Sequence, residues 1–358
     1  MKLICVEEHL LDPAITRAGA PFALAEAPYL PDWGMRVTDG QVNDTPRPHV
    51  LANAESTRKG LAPIRERISD MDRAGIDMQV LSYGGFPQLL PAAQAIDLCR
   101  AANDRLAAII ADHPSRFSGF ATLPWQAPDA AAQEMERAAA IGLKGCLING
   151  RPGPDFLDAP QYAPVLEALN RLQLPLYIHP GLPLPAVQDP YYGGFERELS
   201  ARLSMFAWGW HNEAGILTLR LLLSGAFDRF PDLRVISGHW GEMVPFFLQR
   251  LEDSIPQEAS GLSRPIVQTY RDHVYVSPSG MLTEPHFRFI HEVMGADRIL
   301  YSIDYPYQSL NGARAFLDQQ AISADGRALI AHVNAERLLG LKGRHHERHP
   351  AFHPHRRT

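Results

Sequence analysis

Cysteine is scarce in this chain. Three occur in 358 residues, Cys5, Cys99 and Cys146, and the number is odd. They are widely spaced and each sits inside an apolar run, so they read as reduced, buried small hydrophobes and predict a cytoplasmic protein. Long hydrophobic runs are absent too. Although 46% of the residues are hydrophobic, no run approaches the roughly 18 residues that cross a bilayer, and no membrane partner is expected. The start, MKLICVEEH, has no long apolar stretch and no small-residue cleavage site, so no signal peptide is expected. Positive charge is not in excess: the net charge is −6 and the pI is near 6.2. That excludes the basic footprint of a nucleic-acid binder. No phosphate-binding GxGxxG follows any strand-like run, and no repeat recurs at a fixed period.

What is present is alternation of short apolar runs with helical patterns. The apolar runs are LICVEE (3–8), DMQVLS (77–82), FSGFATLP (117–124), LKGCLING (143–150), LPLYIHP (174–180), LRVISGHWG (233–241), HVYVSPSG (273–280) and RILYSIDYP (298–306). Eight strands alternating with helices predict βαβ units and a parallel sheet. That count favours an α/β fold of the (β/α)₈ TIM-barrel type, formed as one domain over residues 1–342, over an open doubly wound sheet. Two stretches break the rhythm, 10–60 after the first run and 181–211 after the fifth. Both are rich in proline and aromatics, which predicts ordered loops covering a pocket. The last 15 residues, RHHERHPAFHPHRRT, carry five of the 15 histidines and no apolar period. Residues 343–358 therefore read as a disordered tail, with weak metal affinity as the alternative.

The polar residues at the ends of these runs carry the chemistry. The first run ends in Glu7, Glu8 and His9, the fourth in Asn149, the fifth in His179. The sixth ends in His239, with Glu242 three residues on, and the eighth in Asp304. In a barrel these ends meet on one rim, where such enzymes place their sites. Each has a bland reading on its own: a core histidine, a helix cap, a solvated strand end. Together Glu7, His9, His179 and Asp304 are a divalent-metal set of imidazole nitrogens and carboxylate oxygens. The strand period of two lets Glu7 and His9 share the barrel face and turns Glu8 away, towards a basic group or water outside the barrel. His239, held by Glu242, suits general acid–base or oxyanion work; a fifth metal ligand or a helix cap is the alternative.

With VEEH, RISDMDRAGIDMQVLS, RAANDRLA, HPSRFSGFATLP, GLKGCLING, LPLYIHPGLPLP, GHWGEMVPFFLQRL and RILYSIDYPY in order over about 1–342, the chain resembles the amidohydrolase superfamily. It resembles in particular the branch of aminocarboxymuconate-semialdehyde decarboxylase, with γ-resorcylate, dihydroxybenzoate and carboxyvanillate decarboxylases nearest. The resemblance implies one divalent ion, Zn²⁺ or Mn²⁺, on Glu7, His9, His179 and Asp304, and catalytic roles for Asp304, His239 and Glu242. Binuclear hydrolases on this barrel bridge their metals with a modified lysine at the end of strand four, where this chain has Asn149. The resemblance also implies non-oxidative, often reversible decarboxylation of a phenolic aromatic acid, a homodimer or homotetramer, and a substrate contact for Arg250, eleven residues past His239. The mechanism expected is protonation of the ring carbon by Asp304 before carbon dioxide leaves. Substrate-binding candidates are Arg250, Asn149, Phe22, Tyr83, Trp210 and Tyr307, with Trp33, Phe86, Trp208 and Tyr305 as further aromatics. The region from Tyr192 to Trp210 is more aromatic than the resemblance implies, and Pro278 stands where relatives tend to be polar. Two other readings remain: a mononuclear hydrolase of an ester, lactone or amide, and an inactive barrel serving as a scaffold.

Overall fold

The computed structural model describes residues 1–33, 47–51 and 53–341. Seven parallel strands follow the predicted runs: β1 (Ile4–Leu11), β2 (Met78–Gly84), β3 (Phe117–Gly119), β4 (Cys146–Asn149), β5 (Leu176–His179), β6 (Val235–Ser237) and β7 (Val274–Val276). They pair in the orders β1-β2-β3 and β4-β5-β6-β7. Backbone hydrogen bonds close the gap between the two sets: Ala121 N donates to Gly145 O at 2.8 Å and Leu147 N to Ala121 O at 3.0 Å. On the other side the eighth run forms no continuous strand, but its backbone closes the circle. Leu300 N donates to Val276 O at 2.8 Å, Val6 N to Tyr301 O at 2.9 Å and Asp304 N to Glu7 O at 3.0 Å. The architecture is a (β/α)₈ barrel.

Residues on the strands divide between two clusters. Ile4, Val6, Met78, Val80, Phe120, Leu147, Tyr177, Ile236 and Leu300 fill the barrel, joined by Ala335 and Leu339 from the end of the described chain. Cys5, Leu81, Phe117, Cys146, Leu176, Val235 and Val274 pack outward against the helices. The alternation breaks once on β1. Its register with β2 shifts between Cys5 and Glu8, a bulge in which one extra residue is accommodated. Val6 belongs to the barrel interior, and Glu7, the next residue, also faces inward, bonded to Tyr177.

The two excursions are not structureless. The first carries helices at Pro13–Glu26 and Asn53–Gly60; the second carries Pro185–Tyr192 and Arg197–Ser204 and runs into Gly209–Leu223. Asp12 starts the first of these helices: its carboxylate accepts from Ala14 N at 2.9 Å and Ile15 N at 3.0 Å, with Pro13 at the first helical position. Proline lies inside two of these helices, Pro21 in the first and Pro190 in Pro185–Tyr192, and three of them are eight residues long, too short to show an apolar stripe in the sequence. The domain edge at 342 and the tail 343–358 lie outside the described residues.

Candidate metal centre and active site

Glu7, His9, His179 and Asp304 converge at the mouth, with one ligand atom from each lying within 4.8 Å of the others. His9 Nε2 is 3.2 Å from Asp304 Oδ1, and His179 Nε2 is 3.6 Å from Glu7 Oε1. Three of these atoms, Glu7 Oε1, His9 Nε2 and Asp304 Oδ1, are buried without any hydrogen-bond partner. Each histidine spends its other nitrogen on the scaffold: His9 Nδ1 on Ser82 Oγ at 3.0 Å and His179 Nδ1 on Pro180 O at 2.8 Å. Such anchoring fixes the ring and leaves Nε2 as a ligand. Glu7 likewise commits Oε2, which accepts from Tyr177 Oη at 2.5 Å, from Ser279 Oγ and from Ser302 Oγ at 3.3 Å, and leaves Oε1 free. Four inward-facing, orphaned or outward-anchored donor atoms of the N/O type fit a divalent cation.

Burial pushes Glu7 above the ordinary carboxylate range, and pushes His179 well below the usual imidazole value, with His9 and His239 adding to it. A neutral His179 has its nitrogen lone pair available. A dication would return Glu7 to its ionised form.

The HWGE segment makes a turn whose backbone is left-handed at His239 (φ 45°), Trp240 (60°), Gly241 (84°) and Glu242 (50°), and Asp304 has φ 66°. Non-glycine residues adopt this region only where the surroundings hold them there, and such positions gather at functional sites. The turn brings His239 Nδ1 to 2.7 Å from Glu242 Oε1. His239 Nε2 lies 3.9 Å from Asp304 Oδ2. Burial disfavours the charged imidazole, but the Glu242 carboxylate outweighs it and His239 is pushed up to about 9. Burial would raise Glu242 in turn, yet the histidines hold it below the ordinary range.

One partner of this dyad was invisible in the sequence. Glu242 Oε2 is 2.9 Å from His211 Nδ1, so the carboxylate bridges two histidines whose ring centroids are 4.3 Å apart. His211 lies on Gly209–Leu223, in the second excursion, and nothing in its neighbours signals the contact. Tyr177 and the serines that fix the ligands were missed for the same reason.

An aromatic wall adjoins the cluster. The Tyr307 ring is 5.5 Å from His9 and the Trp210 ring 6.5 Å from His179. Trp33, Phe86, Phe206, Leu182 and Trp210 share one apolar cluster. Beside it opens a cleft of about 370 Å³, whose wall includes Phe86, Gln88, Asn149, Arg151 and Leu182. Asn149 pairs with His179 across β4 and β5, and its carbonyl accepts from Gln88 Nε2 at 2.6 Å. Gly150 and Gly181 meet here so closely that a Cβ on Gly150 would stand 2.7 Å from Gly181 Cα.

Other candidates lie elsewhere. Tyr83 faces outward into the strand–helix layer, where burial and Asp12 push its phenol up to about 12. Tyr305 also turns outward: its hydroxyl donates to Asp70 at 2.6 Å and Arg67 covers its ring. Phe22 is 39% exposed and Trp208 49%, and neither belongs to the apolar cluster beside His179. Arg250 is exposed on the helix Val244–Ser254. Glu8 faces away from the mouth as the period requires, but it is fully buried rather than solvated. It accepts from Ile303 N at 3.0 Å, Tyr305 N at 3.3 Å and Gln79 Nε2 at 3.1 Å, and Arg67 in turn donates to Gln79.

Residues 49–341 match the model of the amidohydrolase family. The chain belongs to that family. Among amidohydrolase relatives, the γ-resorcylate decarboxylase of Polaromonas sp. (strain JS666) is 35% identical over 306 residues, covering 79% of this chain and 90% of that protein. The crystal structure of dihydroxybenzoic acid decarboxylase from Polaromonas sp. JS666, with bound manganese and the inhibitor 2-nitroresorcinol, is similar with a TM-score of 0.79 at 29% identity. It covers 95% of this chain and 97% of that one. The 5-carboxyvanillate decarboxylase of Sphingomonas paucimobilis is similar at TM-score 0.79 and 29% identity, over 95% and 99% of the two chains.

Proposed function

We propose that this protein is a metal-dependent, non-oxidative decarboxylase of a phenolic aromatic acid. The observation that carries the reading is the juxtaposition of a buried N/O ligand cluster with an aromatic wall, Tyr307 against His9 and Trp210 near His179. The named decarboxylases among its relatives support it. One divalent ion, Zn²⁺ or Mn²⁺, held by Glu7, His9, His179 and Asp304, would act there as a Lewis acid and orient the substrate.

The side chains supply the rest. The aromatic wall holds the ring flat against the cluster. Asp304, in its protonated form, gives its proton to the ring carbon that bears the carboxylate. The electron pair that forms the new C–H bond comes from the ring, so aromaticity is lost. The phenolate oxygen becomes a ketone oxygen as the ring carbon is protonated and regains its negative charge when the C–C bond breaks, and His239 donates a hydrogen bond to it that holds that charge. The C–C bond then breaks, its electrons restore the aromatic ring, and carbon dioxide leaves. The Asp304 carboxylate regains a proton before the next turnover. Glu242, with His211 behind it, keeps His239 oriented and charged.

We further infer a cytoplasmic homodimer or homotetramer. Its support is an exposed aromatic patch, Phe246 (70% exposed), Phe247 (51%) and Phe289 (36%), with ring centroids 5.3 Å apart edge-on and 5.7 Å apart tilted, a cluster of exposed apolar rings of the kind that marks association surfaces. An oligomer formed through this face would make Arg250, on the same helix as Phe246 and Phe247, an interface residue. The function is tested by incubating metal-loaded enzyme with a panel of hydroxybenzoates and measuring carbon dioxide. Release from at least one is expected; hydrolysis of a lactone panel without release from any acid would overturn the reading.

A further inference from the structure

Arg151 follows β4 by two residues and lines the cleft beside the ligand cluster. Its side chain is only 7% exposed. Nη1 donates to the carbonyl oxygens of Gly153 at 2.5 Å and Pro154 at 3.5 Å. Nε has no hydrogen-bond partner, and among the described residues Nη2 donates to none. The nearest acid is Glu213, whose Oε2 stands 3.6 Å from Nε and is itself buried and unbonded. This is a charge pair in contact but not in hydrogen-bond geometry. A buried guanidinium with donors unspent is costly unless something else takes them. The structure therefore holds a fixed guanidinium in the wall of the cleft whose Nη2 has no protein acceptor among the described residues and is left for whatever enters.

The cleft's place says what that acceptor belongs to. Phe86 and Leu182 line it and also pack with Trp210, whose ring lies beside His179. An aromatic ring with its carboxylate at the ligand cluster and its face on this apolar cluster directs its far edge into the cleft. Charge says what kind of acceptor fits. Arg151 is already balanced by Glu213, and Glu26 lines the same cleft, so no positive charge is left over for a second carboxylate.

We propose that Arg151 is a specificity-determining residue, donating from its guanidinium to a neutral oxygen, a hydroxyl, on the edge of the substrate ring remote from the reacting carboxylate. The substrate class is thus an ortho-hydroxy aromatic acid with a further, remote hydroxyl. This rests on the decarboxylase reading and deepens it.

The test compares 2,4- and 2,5-dihydroxybenzoate with 2-hydroxybenzoate in the metal-loaded enzyme. Wild type is expected to favour one of the dihydroxy acids in kcat/KM. In Arg151→Met that ratio is expected to fall about 10- to 100-fold, the worth of one charge-assisted hydrogen bond. Equilibrium binding of 4-nitroresorcinol and nitrohydroquinone relative to 2-nitrophenol should lose the same factor without any turnover. Should Arg151→Met fold poorly, Glu213→Gln keeps the guanidinium and removes its counter-charge. Preference should then shift toward 4-hydroxyisophthalate or 2-hydroxyterephthalate, which carry a carboxylate where the remote hydroxyl was. An unchanged dihydroxy/monohydroxy ratio in Arg151→Met, or no shift in Glu213→Gln, overturns this proposal alone. Failure of wild type to decarboxylate any of these acids overturns the decarboxylase reading and this proposal with it.

Discussion

His9 Nε2 and Asp304 Oδ1 face each other across 3.2 Å, both buried and both without a hydrogen-bond partner. With Glu7 Oε1 orphaned beside them, the mouth of the barrel holds polar atoms that a divalent cation would satisfy together. Removing the metal with a chelator should abolish turnover and lower the melting temperature. Elemental assay should find one divalent ion per chain. At a metal concentration 1,000-fold above Kd the stabilisation from binding would be about 4 kcal/mol. His9→Ala should lose the metal; retention of a full equivalent would remove His9 from the proposed ligand set.

Asp304 is proposed both to hold the metal and to carry the proton. Asp304→Asn keeps an oxygen for coordination but has no acidic proton, so turnover should fall about 100-fold or more while metal content stays near one. Metal retained with turnover near wild type would show that another group protonates the ring.

His211 is expected to act through Glu242 and His239. His211→Ala removes one of the two hydrogen bonds that fix the Glu242 carboxylate and should lower kcat about tenfold with little change in KM, a loss of about 1.4 kcal/mol in the barrier. His211→Asn, which can still donate to Glu242, should recover part of it. Equal losses in both variants would mean that the imidazole serves packing alone.

Glu8 is the residue whose replacement should harm the fold most. Its carboxylate accepts three hydrogen bonds, two from the backbone that carries Asp304. Glu8→Ala leaves those donors buried and unpaired and should cost about 3 kcal/mol in chemical denaturation. A cost below about 1 kcal/mol would show that water replaces the carboxylate.

Asp70 gives the acid side of stability. Burial opposes its ionisation, but the Tyr305 hydroxyl and Lys59, with Arg73, hold it below its ordinary value of 3.8. A carboxyl lowered in the folded state stabilises fully above that ordinary value and loses the contribution as pH falls through its lower folded value. The melting-temperature advantage of wild type over Asp70→Asn should therefore be constant near neutrality and shrink below about pH 4. An advantage that persists undiminished at low pH would show that the Asp70 charge is not what matters.

The sequence made the barrel and the convergence of four candidate ligands legible because both depend on local pattern: apolar runs of strand length, each ending in a polar residue. Glu7, His9, His179 and Asp304 could be named for that reason, and so could the His239–Glu242 pair, only three residues apart. What could not be read depends on distance in the chain. His211 meets Glu242 across 31 positions, and Arg151 meets Glu213 from another loop. Tyr83 and Tyr305 turn outward where the sequence suggested the pocket, because the composition of a strand end does not set which layer an aromatic faces and only the register decides. Arg250 was placed at the site by resemblance, whereas its helix presents it to the surface.

The bulge on β1 has a consequence for how the site could be altered. It works as a phase shift: below it Ile4 and Val6 fill the barrel, and above it Glu7 and His9 do. A strand of uninterrupted alternation would have carried Glu8 into the mouth and Glu7 out among the helices. Deleting one residue at Val6 would thus remove the bulge and restore plain alternation from Ile4, with Glu7 and His9 still on the barrel face and Glu8 still outside, so the cradle depends on the phase of the strand above Cys5 and not on the extra residue itself.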